Sequence, residues 1–224
     1  TAVNWNGATL SGTSSIRMKV TDSAGNDGTI ATQEYVLDTA APTVEIVVDD
    51  TALKIGETSS VTITFSEAVT DFNNDDITAF ENGTLTAVAT TDNIVFTATL
   101  TPDANVEDTS NVITILKTGL TDVAGNAGVG STSSNAYAID TLAPTTTISG
   151  IDISEDTGTS ATDFITKTAV QTITATLDAN LVVGEKLYGS VDAGSNWIDI
   201  TNKVTETAVN WNGATLSGTS SIRM

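Results

Sequence analysis

The residues of this sequence that could do chemistry are oxygen donors. Its 224 residues hold 28 Asp and Glu but no His and no Cys, which removes the commonest general base, every His-containing triad, thiolate metal ligands and disulfides. Several acids recur in fixed surroundings. Asp38 opens Asp38-Thr39-Ala40-Ala41-Pro42-Thr43, and Asp140 opens Asp140-Thr141-Leu142-Ala143-Pro144-Thr145. Asp22 and Asn26 bracket one Asp-x-Ala-Gly-Asn turn, and Asp122 and Asn126 bracket another. Carboxylates and amide oxygens suit a hard cation of flexible coordination, calcium before magnesium. Such a turn alone is ordinary chemistry, since Asp accepts from nearby backbone N–H groups and Gly adopts positive φ. Convergence of several such acids on one place is what turns it into a metal site.

Other chemistries fit less well. Asp75 and Asp76 are paired carboxylates, but glycosidase acids face each other across a cleft and these are chain neighbours. No enzyme is expected. Trp197 and Trp211 could stack a sugar, which makes a carbohydrate- or host-surface-binding module the alternative, but both are expected in the core. With 8 basic residues the formal charge is −20, a field that repels nucleic acid and anionic membranes alike. No apolar run approaches the roughly 18 residues of a membrane helix, so no membrane insertion is expected, and any secretion signal lies outside this stretch.

The elements that must position these acids read as strands. The sequence is rich in Thr, Ser, Val and Ile with period-2 alternation over 43–48, 60–65, 76–80, 94–100, 112–116 and 135–139. Turns are marked by Asn82-Gly83 and Pro102-Asp103. About seven short strands in roughly 100 residues predict an all-β fold of tandem immunoglobulin-like β-sandwich domains. Residues 1–18 return letter for letter as 207–224, so the array is a tandem repeat cut in mid-unit. The proline joints divide it into 1–38, the closing strands of a preceding repeat; 39–140, a complete repeat; and 141–224, a repeat lacking its final strands. The incomplete end is expected to be completed by residues 1–38 of another molecule, a head-to-tail self-association. In the last unit 145–148, 169–177 and 186–191 are predicted strands, Asp192–Trp197 a hairpin turn followed by a core Trp, and Trp211-Asn212-Gly213 a tight turn.

The two joints, the two Asp-x-Ala-Gly-Asn turns and the stretches 60–78, 154–166 and 184–197 together resemble the bacterial Ig-like extender repeats of giant RTX adhesins. The resemblance covers essentially the whole chain. It implies a calcium-stiffened spacer without catalysis, displayed outside the cell on the bacterial surface, whose partners are neighbouring repeats of the same chain.

Strand polarity in a seven-strand sandwich distributes the acids between the two ends of each unit. The leading end of 39–140 should gather Glu67, Asp71, Asp75, Asp76, Asp122 and Asn126 around Asp38. The trailing end offers Asp49, Asp50 and Glu57 near Asp140, facing Asp178 and Glu185 of the next unit and a turn of the type formed by Asp22, Asn26 and Asp27. The trailing end of the second unit type would use Asp152, Asp156 and Asp163. The cofactor expected at these sites is Ca2+.

Overall fold

A computed structural model of the chain describes residues 2, 4–219 and 221–224. They fall into two compact units, one ending at Leu142 and one spanning Ala143–Met224.

In the first unit the apolar alternation becomes paired strands. Ser59–Phe65 turns Val61, Ile63 and Phe65 inward, and Val95–Pro102 does the same with Phe96, Ala98 and Leu100. They pair antiparallel with Phe96 opposite Ile63, flanked by Val44–Val48 and Gly83–Leu85. Facing this sheet are two three-stranded ladders. One orders Glu107–Asn111, Tyr137–Asp140 and Ala52–Lys54, and the other Ser131–Ser133, Thr114–Leu116 and Ile77–Ala79. Leu53, Ile115, Tyr137 and Ile139 from the facing ladders, with Ile113 from the link between two of their strands, share one core with the first sheet. This is an all-β, Ig-like sandwich, as predicted. Phe65, Phe72 and Phe96 meet edge to face in that core, with ring centroids 4.9 to 5.8 Å apart. The closing strand Tyr137–Asp140 runs antiparallel to Glu107–Asn111 and parallel to Ala52–Lys54, with Ile139 opposite Leu53.

Two local expectations shift. The predicted strand 76–80 contracts to Ile77–Ala79 because Asn74–Asp76 coils into a 3-10 turn, capped by the Asn73 side chain and with Asp76 accepting from the Asn73 N–H. Asn82 takes the left-handed φ of a turn residue. Gly83, however, already belongs to a strand, where a Cβ would sit 2.7 Å from the Thr101 carbonyl oxygen. Upstream, Ser14–Met18 and Ala31–Tyr35 form an antiparallel hairpin, and no described residue before Asp38 is buried. A two-stranded ribbon cannot enclose side chains.

The second unit is built on one sheet, ordered Ile148–Ile153, Val170–Leu177, Ala208–Thr215 and Val204–Thr205, with a small ladder of Tyr188–Gly189 and Ile198–Asp199. Its core gathers Ile153, Ile173, Leu177, Leu187, Ile200, Val209 and Trp211. The expected turn at Trp211-Asn212-Gly213 is instead part of a strand. Gln171 stands opposite Ala214 and Thr172 opposite Asn212, which leaves Gly213 as the extra residue of a β-bulge. Trp211 is 5% exposed, whereas the identical Trp5 is 69% exposed. Trp197 does not reach the core as expected: it is 49% exposed at the end of its loop, against Gly194. Only one of the two Trp faces is therefore available to a sugar.

Gly189 lies under the Trp211 ring, where an added Cβ would come 2.6 Å from Cζ3. Gly189→Ala should therefore overpack this core and cost about 1–3 kcal/mol, read as a lowered denaturation midpoint of the second unit.

Candidate metal centre

Three segments distant in sequence bring carboxylates together at one end of the first sandwich. Asp38 ends the segment that follows the hairpin. Glu67 sits in the turn after Ser59–Phe65, and Asp122 closes the two-residue strand Thr121–Asp122. That strand pairs antiparallel with Val69–Thr70, with Asp122 opposite Val69, which clamps the Glu67 turn against the Asp122 loop. Carboxylate oxygens of Asp38, Glu67 and Asp122 lie within 4.8 Å of one another, with Asp122 buried and the other two half-buried.

The loop after Asp122 is rigid for local reasons. Asp122 Oδ1 accepts from the Asn126 backbone N–H at 2.8 Å, and Oδ2 accepts from the Asn126 side-chain amide at 2.8 Å. Gly125 donates its N–H to the Asp122 carbonyl at a φ of +92°, a conformation that glycine adopts freely. The Asn126 amide also donates to the Asp38 carbonyl at 3.2 Å, tying the incoming chain to the loop. Asp38 in turn accepts from the Ala40 N–H at 3.0 Å.

No ion pair among the described residues reaches this cluster. The pairs formed are Lys19–Asp27, Lys54–Glu57 and Lys186–Asp199. Burial, and then the charges of Asp38 and Asp122, push the Glu67 carboxyl above the usual glutamate range. Burial acts the same way on Asp122, but the side-chain and backbone bonds from Asn126, with those from Gly125 and Ala124, outweigh it and hold the carboxyl below its ordinary value. Of the two, Glu67 therefore takes up a proton more readily than Asp122. An all-oxygen set on three loops fits a calcium ion better than one demanding octahedral geometry or nitrogen and sulfur ligands.

The other sequence-predicted residues are placed as follows. Asp71, Asp75 and Asp76 do not join the cluster, the only group of three or more close metal-ligating side chains among the described residues. Asp71 takes a left-handed φ of 65°, and Asp75 and Asp76 are held in the capped 3-10 turn. At the other end of the sandwich, Asp50 accepts from the Ala52 N–H and Glu57 from the Lys54 N–H. Asp49 donates its own N–H to Ser60, and Asp140 accepts from the Leu142 N–H. Asp22 and Asn26 form the same closed ring as Asp122 and Asn126, on the exposed hairpin segment, with Asp27 paired to Lys19.

In the second unit, Asp178 takes both the N–H and the hydroxyl of Thr147. Glu185 caps the Val182 N–H, Asp152 accepts from the Ile153 N–H, and Asp163 accepts from the Ile165 N–H. Asp156 accepts from the Phe164 N–H through one oxygen and leaves the other buried without a partner. Asp178 occupies the place of Ser66, whose N–H likewise donates to the carbonyl of a Thr, Thr43, and whose side-chain oxygen accepts from the N–H of that Thr. The counterpart of Glu67 is therefore Ala179.

Residues 38–139 match the family described as bacterial Ig-like domain, a match that begins at the candidate ligand Asp38. The match spans the first sandwich, which is thus similar to a bacterial Ig-like domain. No curated protein and no solved structure matches the chain. No helix among the described residues is long and apolar enough to cross a membrane.

A third Asp–Asn ring closes the Asp192 loop. There the Asn196 side chain and backbone N–H, together with the Ser190 hydroxyl, lower the Asp192 pKa from 3.8 to about 2. A depressed carboxylate stabilises the fold above its unfolded-state pKa, and that contribution is lost as pH falls through the folded one. The stability gap between the wild type and Asp192→Asn should accordingly narrow between pH 3.8 and about 2 in acid titrations followed by circular dichroism.

Proposed function

We propose that this chain is a length of spacer from a large bacterial surface adhesin, in which calcium at the joint between repeats stiffens the array and so projects a distal binding domain. The observation that carries this reading is the grouping of Asp38, Glu67 and Asp122 within 4.8 Å without a basic partner among the described residues. Three like charges at that spacing repel unless a proton or a cation sits among them. Asp38 belongs to the chain entering the sandwich, while Glu67 and Asp122 belong to the sandwich itself. A cation held by all three fixes the direction in which one repeat feeds the next. These residues would supply carboxylate oxygens to an ion that takes six to eight oxygens, the remainder being backbone carbonyls or water. The letter-for-letter return of 1–18 at 207–224 also supports a spacer, since an array needs sameness whereas a binding tip occurs once.

The calcium dependence follows from linkage. Extracellular calcium modules bind with Kd near 10⁻⁴ to 10⁻³ M, far above cytosolic calcium, so the joint is loose before export and set after it. At a hundredfold excess of calcium over Kd the folded state gains about 2.7 kcal/mol.

Calcium titration followed by differential scanning calorimetry should raise the Tm of the first unit, EGTA should reverse the rise, and Glu67→Gln should abolish most of it. Small-angle scattering should report a stiffer particle with calcium. A Tm and scattering profile indifferent to EGTA would overturn the proposal, and micromolar glycan binding would replace it with a ligand-binding role.

A further inference from the structure

In a chain of repeats, any pull along the array enters the first sandwich at Thr43 and leaves it at Thr141. The strands nearest those points decide how the fold resists. Val44–Val48 and then Ala52–Lys54 follow the entry, and Tyr137–Asp140 is the exit. Ala52–Lys54 and Tyr137–Asp140 are parallel, so drawing the entry and the exit apart slides one strand along the other. The bonds between them lie across that motion and are strained together, whereas a hairpin pulled by its two ends opens one bond at a time.

One side chain lengthens this ladder. Asn135 accepts from the Val48 N–H at 2.8 Å and donates its amide to the Val48 carbonyl at 3.0 Å. Further along, Ala138 donates its N–H to the Thr51 carbonyl at 2.9 Å, and Ala138, Ile139 and Asp140 stand opposite Ala52, Leu53 and Lys54. The Asn135 amide thus supplies the donor and acceptor that a neighbouring backbone would supply, and ties the end of the entering strand to the segment that becomes the exit. Thr141, just past the ladder, is fastened as well. Its N–H donates to the Val106 carbonyl at 2.7 Å, and its hydroxyl donates to the Asp103 carbonyl at 2.6 Å and accepts from the Val106 N–H at 3.0 Å. The Thr of this Asp-Thr-x-Ala-Pro joint, which the cation reading leaves without a role, therefore anchors the exit.

The fold contains a matched control. Val44–Val48 lies at one edge of its sheet and Gly83–Leu85 at the other. Beside that second edge, Asn74 accepts from the Val88 N–H at 2.8 Å and donates to the Thr86 carbonyl at 3.0 Å. These are the same two bonds at the same lengths, but neither partner belongs to the entering or the exiting strand.

We propose that Asn135 and the parallel ladder it extends form a shear clamp that makes the first sandwich resist tension along the array. The clamp rests on the spacer reading for its use and not on the cation for its strength.

Force spectroscopy on the full chain tests this. The sequence holds no Cys, so Thr39→Cys and Leu142→Cys, both at exposed positions, give handles on either side of the first sandwich and leave Asp38 outside the pulled span. At constant force the sandwich should open in one step releasing about 300 Å, roughly 100 residues at ~3.3–3.6 Å each less the folded length. Asn135→Ala should raise the unfolding rate at that force about 30-fold, the loss of two ordinary hydrogen bonds, and Thr141→Val should raise it too. Asn74→Ala should lower the chemical denaturation midpoint as much as Asn135→Ala does, yet leave the rate under force nearly unchanged. Equal acceleration by Asn135→Ala and Asn74→Ala overturns the proposal, as does opening in several small steps. The contrast between the two Asn variants should be the same in calcium and in EGTA, so a failed calcium titration leaves the clamp standing, and a failed clamp leaves the calcium reading standing.

Discussion

A strand that alternates apolar and polar side chains is stable only when its edges are hydrogen-bonded and its apolar face is covered by an opposing sheet. In the first unit the closing strand Tyr137–Asp140 meets both conditions at once. It bonds to neighbours on either side, one antiparallel and one parallel, and buries Tyr137 and Ile139 against the first sheet. The parallel contact draws Ala52–Lys54, a three-residue strand, into the same ladder.

Electrostatics follows from the same architecture. With 28 acids and 8 basic residues, ion pairing cannot neutralise this surface. The fold instead meets its carboxylates with backbone N–H groups. Asp22, Asp122 and Asp192 each close a ring with an Asn four residues on, and Asp50, Asp92 and Asp163 each accept from N–H groups just downstream. These bonds are local, lower the pKa of several of the acids, and make most of them structural. Asp38, Glu67 and Asp122 differ because tertiary contacts bring together charges that the local bonds leave unneutralised.

The long strands were legible from alternation alone, and Ser59–Phe65 and Val95–Pro102 lie within two residues of their predicted ranges. Short strands such as Val69–Thr70, Thr121–Asp122 and Ala52–Lys54 carry no periodic signal, since two or three residues cannot display a period, and pairing alone creates them. The cluster was partly legible. Asp38 and Asp122 stood out by recurrence and Glu67 by its place in a turn between strands, but nothing in the sequence separated them from Asp75, whose turn uses its neighbours for capping. Asp178 looked like a ligand by composition, and only its two bonds to Thr147 assign it to holding a strand.

The repeated segment separates the two kinds of information. Residues 1–18 and 207–224 are identical, and Gly7 and Gly213 share a φ of +77°, so the local backbone preference of Asn-Gly was set by sequence. What surrounds it was not. Beside Val170–Leu177 that glycine becomes the bulge of a strand and its Trp enters a core, whereas without a neighbouring strand the same residues form a turn and the Trp is exposed. Sequence alone determined the β class, the repeat and the turn conformations, because these depend on each residue and its nearest neighbours. Tertiary structure decided which strands exist, which aromatic side chains are buried and which carboxylates meet, because edge pairing and face burial depend on residues far away in the chain.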